Sequence, residues 1–373
     1  MNVASAPQII TCYSSIDSDH DKSHRDTHPP IRKGIDMPKQ VVILGTAHNH
    51  VFGMADCIPD ATDCELGGVW DEDPDRLAAA AKTLGVPPFE SLDAALKTKP
   101  DLAMIGAVPC DRAELARRVI EVGGTALPDK PLALTHEELD RTIDAVEKFG
   151  RPIVTFYPYR GTPSLVAAKR ALDKGRIGSL VRVFSSGPHQ LRPPTRPQWH
   201  WTRAGNGGCL IDVGSHHVDM ACHMAGEAPD YICANHTNVG HPKHTEFQDF
   251  SQALLRFPSG ALGHIEADWC NPESMKHFGD TRTWIQGTTG KIEVREGDER
   301  TAEIWTQAEA AAPLDTSGLP DVNAWSSKLI EDLCHGRDCG IDQSDIWRAS
   351  RVTLHAFDSA MAGGRPVDNP HGL

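Results

Sequence analysis

The chain has 373 residues, enough for two compact domains, and its 39% hydrophobic and 24% charged residues are those of an ordinary globular protein. A formal net charge of -14 without any Lys/Arg-rich run excludes nucleic acid and anionic membrane as main partners, since both select basic surfaces. No apolar run approaches membrane-spanning length. The ten cysteines are scattered without a C-x-x-C pair, so reduced thiols in a cytoplasm are expected.

Residues 1–36 are rich in Ser, Asp, His and Pro and lack the apolar core of a signal peptide; they read as a disordered extension ahead of Met37. From Gln40 short apolar runs alternate with amphipathic stretches. Val41–Leu44 reads as a buried strand ending at Gly45, and Leu66–Trp70 as a second ending at Asp71. A helix from Pro74 to about Leu84 follows, with Pro where its missing N–H does no harm. Leu102–Ile105 is a strand, Arg112–Val122 a helix, and Thr125–Leu127 a short strand leading into Pro128-Asp129-Lys130-Pro131. Thr135 and Glu138 form a capping box for a helix to about Phe149, stopped by Gly150. Pro152–Phe156 completes the strands. Strands alternating with helices predict a doubly wound parallel sheet, a Rossmann domain over residues 37–157.

The rest, 158–373, has another texture. After a helix from Pro163 to Lys174, six strands are predicted: Leu180–Ser185, Tyr231–Asn238, Phe247–Phe257, Ala261–Asp268, Arg282–Gln286 and Lys291–Arg295. Turns such as Pro258-Ser259-Gly260 separate them. An open, mostly antiparallel sheet with helices on one face is expected, making an α/β domain for substrate binding and oligomerisation. Ala308–Ala312 reads as an exposed connector, and Asp345–Ala362 as a last helix before Gly363-Gly364.

Two regions carry chemistry. After the first strand comes Gly45-Thr46-Ala47-His48-Asn49-His50, where a dinucleotide fold wants G-x-G-x-x-G so that backbone N–H groups meet the pyrophosphate. Only the first glycine is present. Asp71, at the tip of the second strand, is placed to take ribose hydroxyls, and with Glu72 and Asp73 it repels a 2′-phosphate, favouring NAD over NADP. His48 and His50 either line the cleft or pack; no metal is expected, since further ligands are not nearby in sequence. In Gly207-Gly208-Cys209-Leu210-Ile211-Asp212-Val213-Gly214-Ser215-His216-His217-Val218-Asp219, Asp212 and His216 stand four apart, one turn along one helix face. A carboxylate beside an imidazole can orient it as the acid/base of a hydroxyl-oxidising enzyme.

The D-K-P-L-A-L-T loop, Phe156-Tyr157-Pro158-Tyr159-Arg160 and the G-G-x-x-x-D-x-G-x-H-x-x-D block, in that order, resemble the Gfo/Idh/MocA family, the glucose-fructose oxidoreductase and inositol dehydrogenase group. The resemblance runs from about Val41 to the C-terminus. It implies a Rossmann domain followed by an open α/β sheet domain, and NAD(P)-dependent oxidation or reduction of a hydroxyl or carbonyl on a sugar, cyclitol or related polyol. It implies catalytic roles for Lys130, His216 and Asp212: His216 exchanges the proton, Lys130 stabilises the alkoxide-like oxygen, and Asp212 binds a neighbouring hydroxyl or orients the base. Cofactor contacts are expected from Gly45, Thr46, Ala47, His48, His50, Asp71, Pro109, Asp129 and Lys130. Asp129 replaces the usual Glu, and Val108-Pro109-Cys110-Asp111-Arg112-Ala113 lacks the family's His. Arg160, Trp201 and His217 are placed at the substrate; for Arg160 a salt bridge between domains, and for Trp201 with Trp199, His200 and Arg203 simple packing, explain the residues equally well. A cytoplasmic homo-oligomer, dimer or tetramer, is expected. The alternatives are a non-catalytic nucleotide- and ligand-binding regulator of this fold, or an NAD-assisted lyase or glycosidase.

Overall fold

The computed structural model describes residues 37–368, so the proposed extension 1–36 lies outside them. Four strands form a parallel sheet in the order β2-β1-β3-β4: β1 (Lys39–Leu44), β2 (Cys64–Trp70), β3 (Leu102–Ile105) and β4 (Thr125–Pro128). The central runs Val41–Leu44 and Leu102–Ile105 are fully buried, as strands covered on both faces must be. Helices α1 (His50–Ala55), α2 (Pro74–Leu84), α3 (Leu92–Lys97), α4 (Pro109–Glu121) and α5 (His136–Phe149) connect and cover them. Local signals set their ends. Asp73 caps α2 by accepting from the N–H groups of Asp75 and Arg76. Thr135 and Glu138 form both halves of the capping box on α5. Helix α4 begins at Pro109, one turn before the expected Arg112, because proline is at home in a first turn.

Pro152–Phe156 is not a fifth strand. Val154 and Phe156 donate to the carbonyls of Ala126 and Pro128 at 2.9 and 2.8 Å, but Pro128 has no N–H to return, and only isolated bridges form.

The second domain is built on a nine-stranded sheet, ordered β12-β11-β10-β9-β5-β8-β7-β6-β13. Its strands are β5 (Leu180–Pro188), β6 (Tyr231–Thr237), β7 (Phe250–Arg256), β8 (Leu262–Asp268), β9 (Thr281–Gly287), β10 (Gly290–Glu296) and β11 (Arg300–Thr306), with two-residue edges β12 (Ala312–Pro313) and β13 (Val367–Asp368). β5 and β8 pair in parallel and the other neighbours are antiparallel. The inner residues Val183, Leu255, Ile265, Ile285 and Ile292 pack in one core with side chains of α6 (Pro163–Asp173), α9 (Gly214–Ala225) and α11 (Gln343–Met361). Between β5 and α9 lie the one-turn helices α7 (Arg203–Asn206) and α8 (Cys209–Asp212). The last two helices tie the halves together. Leu329, Ile330 and Leu333 of α10 (Val322–Cys334), with Ile346 and Trp347 of α11, enter the Rossmann core, while Val352 and Ala356 of α11 enter the other. No helix of the described residues is long and apolar enough to cross a membrane.

Candidate active site

At the carboxyl end of β1 the chain turns at Gly45, with φ +77°; a Cβ there would meet Ala107 at 2.5 Å, so only glycine fits. Thr46 then donates through its N–H (2.6 Å) and Oγ1 (2.7 Å) to Asp71 Oδ2. Asp71 is buried and also accepts from Asp73 N–H at 2.9 Å and Arg76 Nη2 at 2.8 Å. Burial raises its carboxyl pKa, but the bonds from Arg76, Asp73 and Thr46 outweigh it, and the net shift is downward. Asp71 therefore fastens the tip of β2 to the first loop, and Glu72 is the exposed carboxylate beside it.

A cleft of about 530 Å³ runs from Gly45 past Asp71, Glu72 and Arg76 to Asp111 and Leu115. It lies outside the carboxyl ends of the parallel strands, where this sheet topology accepts a dinucleotide. Its carboxylates outnumber its one arginine, which suits ribose hydroxyls and opposes a 2′-phosphate. The residues present fit NAD.

The two histidines of the altered loop turn inward. His48 Nδ1 lies 2.7 Å from Asp129 Oδ2 and His50 Nδ1 3.0 Å from Oδ1. The Asp129 side chain is completely buried, with Arg112 Nη2 at 3.3 Å. Burial raises its carboxyl pKa, but His50, Arg112 and His48 hold it well below the usual range. The three groups could reach one ion, their ligand atoms lying within 4.8 Å. Arg112 on the same carboxylate opposes a divalent cation there, and the His50–Asp129 hydrogen bond with the close His48–Asp129 contact accounts for the geometry. Arg112 is the residue that sequence reasoning missed. Fully buried on α4, it donates Nε to the Ala107 carbonyl at 2.9 Å and Nη1 to the Lys130 carbonyl, clamping the loop after β4. The one signal was its place in the segment lacking the family's His. Pro109 is buried in the first turn of α4, beside the cleft-lining Val108.

The Lys130–Pro131 peptide is cis. Lys130 crosses from the first domain to the second, donating Nζ to Asp212 Oδ1 at 2.6 Å and to the Asp212 carbonyl at 2.9 Å. Both side chains are buried. Burial raises the Asp212 carboxyl pKa, but the Lys130 ammonium overrides it and holds the group ionised far below the usual range. This corrects one expectation: Asp212 does not orient His216. A long lysine reaches the carboxylate first, and the buried His216 Nδ1 has no hydrogen-bond partner. The His216 ring sits 4.9 Å from Tyr159 and 6.4 Å from His50. Burial, aided by Lys130 and His50, keeps it neutral. Further imidazoles adjoin the pair. His189 donates Nδ1–H to the Gly187 carbonyl at 2.9 Å, and the buried His200 Nε2 lacks a partner. Burial pushes them down to about 4 and about 3.

Three residues expected at the substrate are occupied elsewhere. Arg160 grips Asp219 through Nε (2.9 Å) and Nη2 (2.7 Å) and Asp345 through Nη1 (2.8 Å), a buried junction of the 3-10 turn Pro158–Gly161 with α9 and α11. Trp201 stacks on His244 at 4.0 Å and packs on Phe247 at 5.0 Å. His217 turns toward the sheet: its Nδ1 is 2.7 Å from Ser185 Oγ, and its Nε2 fills the space where a Cβ on Gly187 would stand.

The family description "Oxidoreductase family, NAD-binding Rossmann fold" matches residues 39–157, and "GFO/IDH/MocA C-terminal domain" matches residues 165–293. The chain belongs to the Gfo/Idh/MocA family. It is 25% identical over 257 residues to the scyllo-inositol 2-dehydrogenase (NAD(+)) of Bacillus subtilis strain 168, covering 67% of this chain and 72% of that one. Among solved structures it is similar to an oxidoreductase from Erwinia carotovora atroseptica, with TM-score 0.80, 28% identity and coverage of 86% and 98% of the two chains. Levoglucosan dehydrogenase in complex with NADH and levoglucosan shares the fold, at TM-score 0.76 and 19% identity over 89% of this chain and 99% of that one. As a Gfo/Idh/MocA protein the chain is an NAD-binding oxidoreductase, and its cleft after β1 and β2 lies in the NAD-binding domain.

Proposed function

We propose that this protein transfers hydride between NAD and a hydroxyl or carbonyl carbon of a sugar, cyclitol or related polyol, with His216, Lys130 and Asp212 as its reaction centre. One observation carries the reading: Lys130 from the NAD-binding domain meets Asp212 of the second domain at 2.6 Å, beside the buried imidazole of His216. Bound NAD supplies the hydride acceptor or donor. The chain's own groups manage charge and protons. His216, neutral in its buried site, takes the hydroxyl proton as the carbonyl forms and returns it in the reverse direction. Lys130 supplies the positive charge that stabilises the developing alkoxide in a low-dielectric pocket. Asp212, kept ionised by Lys130, accepts from a neighbouring substrate hydroxyl. Uncharged imidazoles at His189 and His200 are partners for hydroxyls rather than for phosphates, which supports a neutral polyol. The presence of a complete proton-handling set supports catalysis over a purely regulatory role.

The protein is further read as a cytoplasmic homo-oligomer, joined through the outer face of its large sheet. The acid/base assignment is tested by His216→Asn. Its turnover should fall by about 10²- to 10⁴-fold with NADH affinity, measured by fluorescence titration, little changed. Near-normal turnover in that variant would remove His216 from the chemistry.

A further inference from the structure

His216 lies buried at the reaction centre, so a proton it takes from substrate has to leave through another group. The half-buried imidazole closest to it comes from the altered nucleotide loop. The His50 ring centroid is 6.4 Å from that of His216, and the His50 side chain keeps 26% of its surface exposed. Its Nδ1 is fixed 3.0 Å from Asp129 Oδ1. A carboxylate can only accept, so Nδ1 carries the hydrogen and Nε2 is left with its lone pair. Asp129 is itself immobilised by His48 Nδ1 at 2.7 Å and Arg112 Nη2 at 3.3 Å.

We propose that the His50–Asp129 pair is the proton exit of this enzyme, relaying the substrate proton from His216 to solvent. The inference rests on the reading of His216 as acid/base. In the oxidative direction the substrate O–H bond breaks and its proton moves to the His216 imidazole, while the C–H electron pair leaves as hydride to the cofactor. The His216 N–H bond then breaks, and the proton passes over one intervening hydroxyl or water to His50 Nε2. The resulting imidazolium is stabilised by the Asp129 carboxylate across Nδ1–H, and solvent at the loop removes the proton. Reduction runs the same path backward. The ionisable groups around His50 are Asp129 from the loop after β4, His48 (ring centroid at 4.3 Å) from its own loop, His216 from α9 and, behind Asp129, Arg112 from α4.

The test uses His50→Gln and His50→Ala in the full chain, with His216→Asn alongside. Turnover of both His50 variants should fall by about tenfold or more, with NADH affinity by fluorescence titration within about twofold of the parent. Added imidazole should restore much of the loss, and the solvent isotope effect on turnover should rise. Unchanged turnover and isotope effect, failure of imidazole to rescue, or a loss of NADH affinity as large as the loss of turnover would each overturn the relay. If His216→Asn keeps its turnover, the reading of the site fails; if it loses turnover while the His50 variants do not, the relay alone fails.

Discussion

Lys130 and Asp212 show how one side chain decides what its neighbours can do. The pair is almost free of solvent, and removing one partner from such a pair leaves a buried charge without compensation, at a cost of about 3–5 kcal/mol. Lys130→Met should therefore lose turnover and also about that much stability in denaturant unfolding. Adding Asp212→Asn should restore most of the stability and none of the turnover. If Lys130→Met unfolds like the parent, Asp212 is not held as a charged partner of Lys130. The three residues proposed as the reaction centre were named from the motif order, but the pairing of Lys130 with Asp212 was not. The spacing of Asp212 and His216 predicts one helix face, whereas Asp212 ends α8 and His216 lies in α9, and sequence spacing says nothing of a lysine arriving from another domain. For Arg160 the sequence left substrate contact and a salt bridge open for the same reason, because Asp219 and Asp345 are its neighbours only in the folded chain.

At the scale of elements, strongly patterned segments were readable. Helix α2 spans the expected Pro74–Leu84, and α5 lies between the Thr135 capping box and the Gly150 stop as expected, since capping chemistry is local. Among the elements not anticipated, β11 is seven residues long and pairs with its sequence neighbour β10, while others are short or answer to distant partners. Helix α3 has one and a half turns, and α10 buries Leu329, Ile330 and Leu333 in the first domain's core although it follows the second domain's sheet. The large sheet alternates cleanly, and its outer side is informative. Leu254 of β7 pairs with His264 of β8, which pairs with Phe184 of β5, which pairs with Trp284 of β9. The result is one continuous strip in which Leu254 is 51% and Trp284 41% exposed. Phe184 stacks on Trp284 at 5.0 Å, so the strip is a contiguous apolar and aromatic face of the kind a second copy of the chain would cover. Light scattering behind size exclusion should give the parent a mass above one subunit, and Leu254→Glu with Trp284→Glu should reduce it. A monomeric parent would refute the assignment of this face.

Over the whole molecule, the buried histidines make stability depend on pH in a definite direction. His200 and His217 are 2% and 0% exposed, and burial pushes each down to about 3 from an ordinary 6.5. Below the ordinary value the unfolded chain binds protons at these positions and the folded chain does not. Unfolding then takes up protons, so the stability they permit is complete above about pH 6.5 and declines as the pH falls toward 3. At pH 5 the loss is about 2 kcal/mol for each of the two. Asp129 and Asp212, both held below the usual carboxylate value, add losses of the same sign at still lower pH. The melting temperature should be level from about pH 8 to 6.5 and drop steeply below it. His217→Asn, which keeps a donor near Ser185 without a basic nitrogen, should make that descent shallower. Turnover should fall over the same interval through loss of the fold, since burial keeps His216 neutral there. A brief assay at pH 5.5 followed by return to pH 7.5 checks this, because unfolded chain recovers slowly whereas a titrating group would recover at once. A melting temperature that stays constant down to pH 4.5 would mean these imidazoles titrate freely in the folded protein, and the neutral pocket inferred for polyol hydroxyls would go with it.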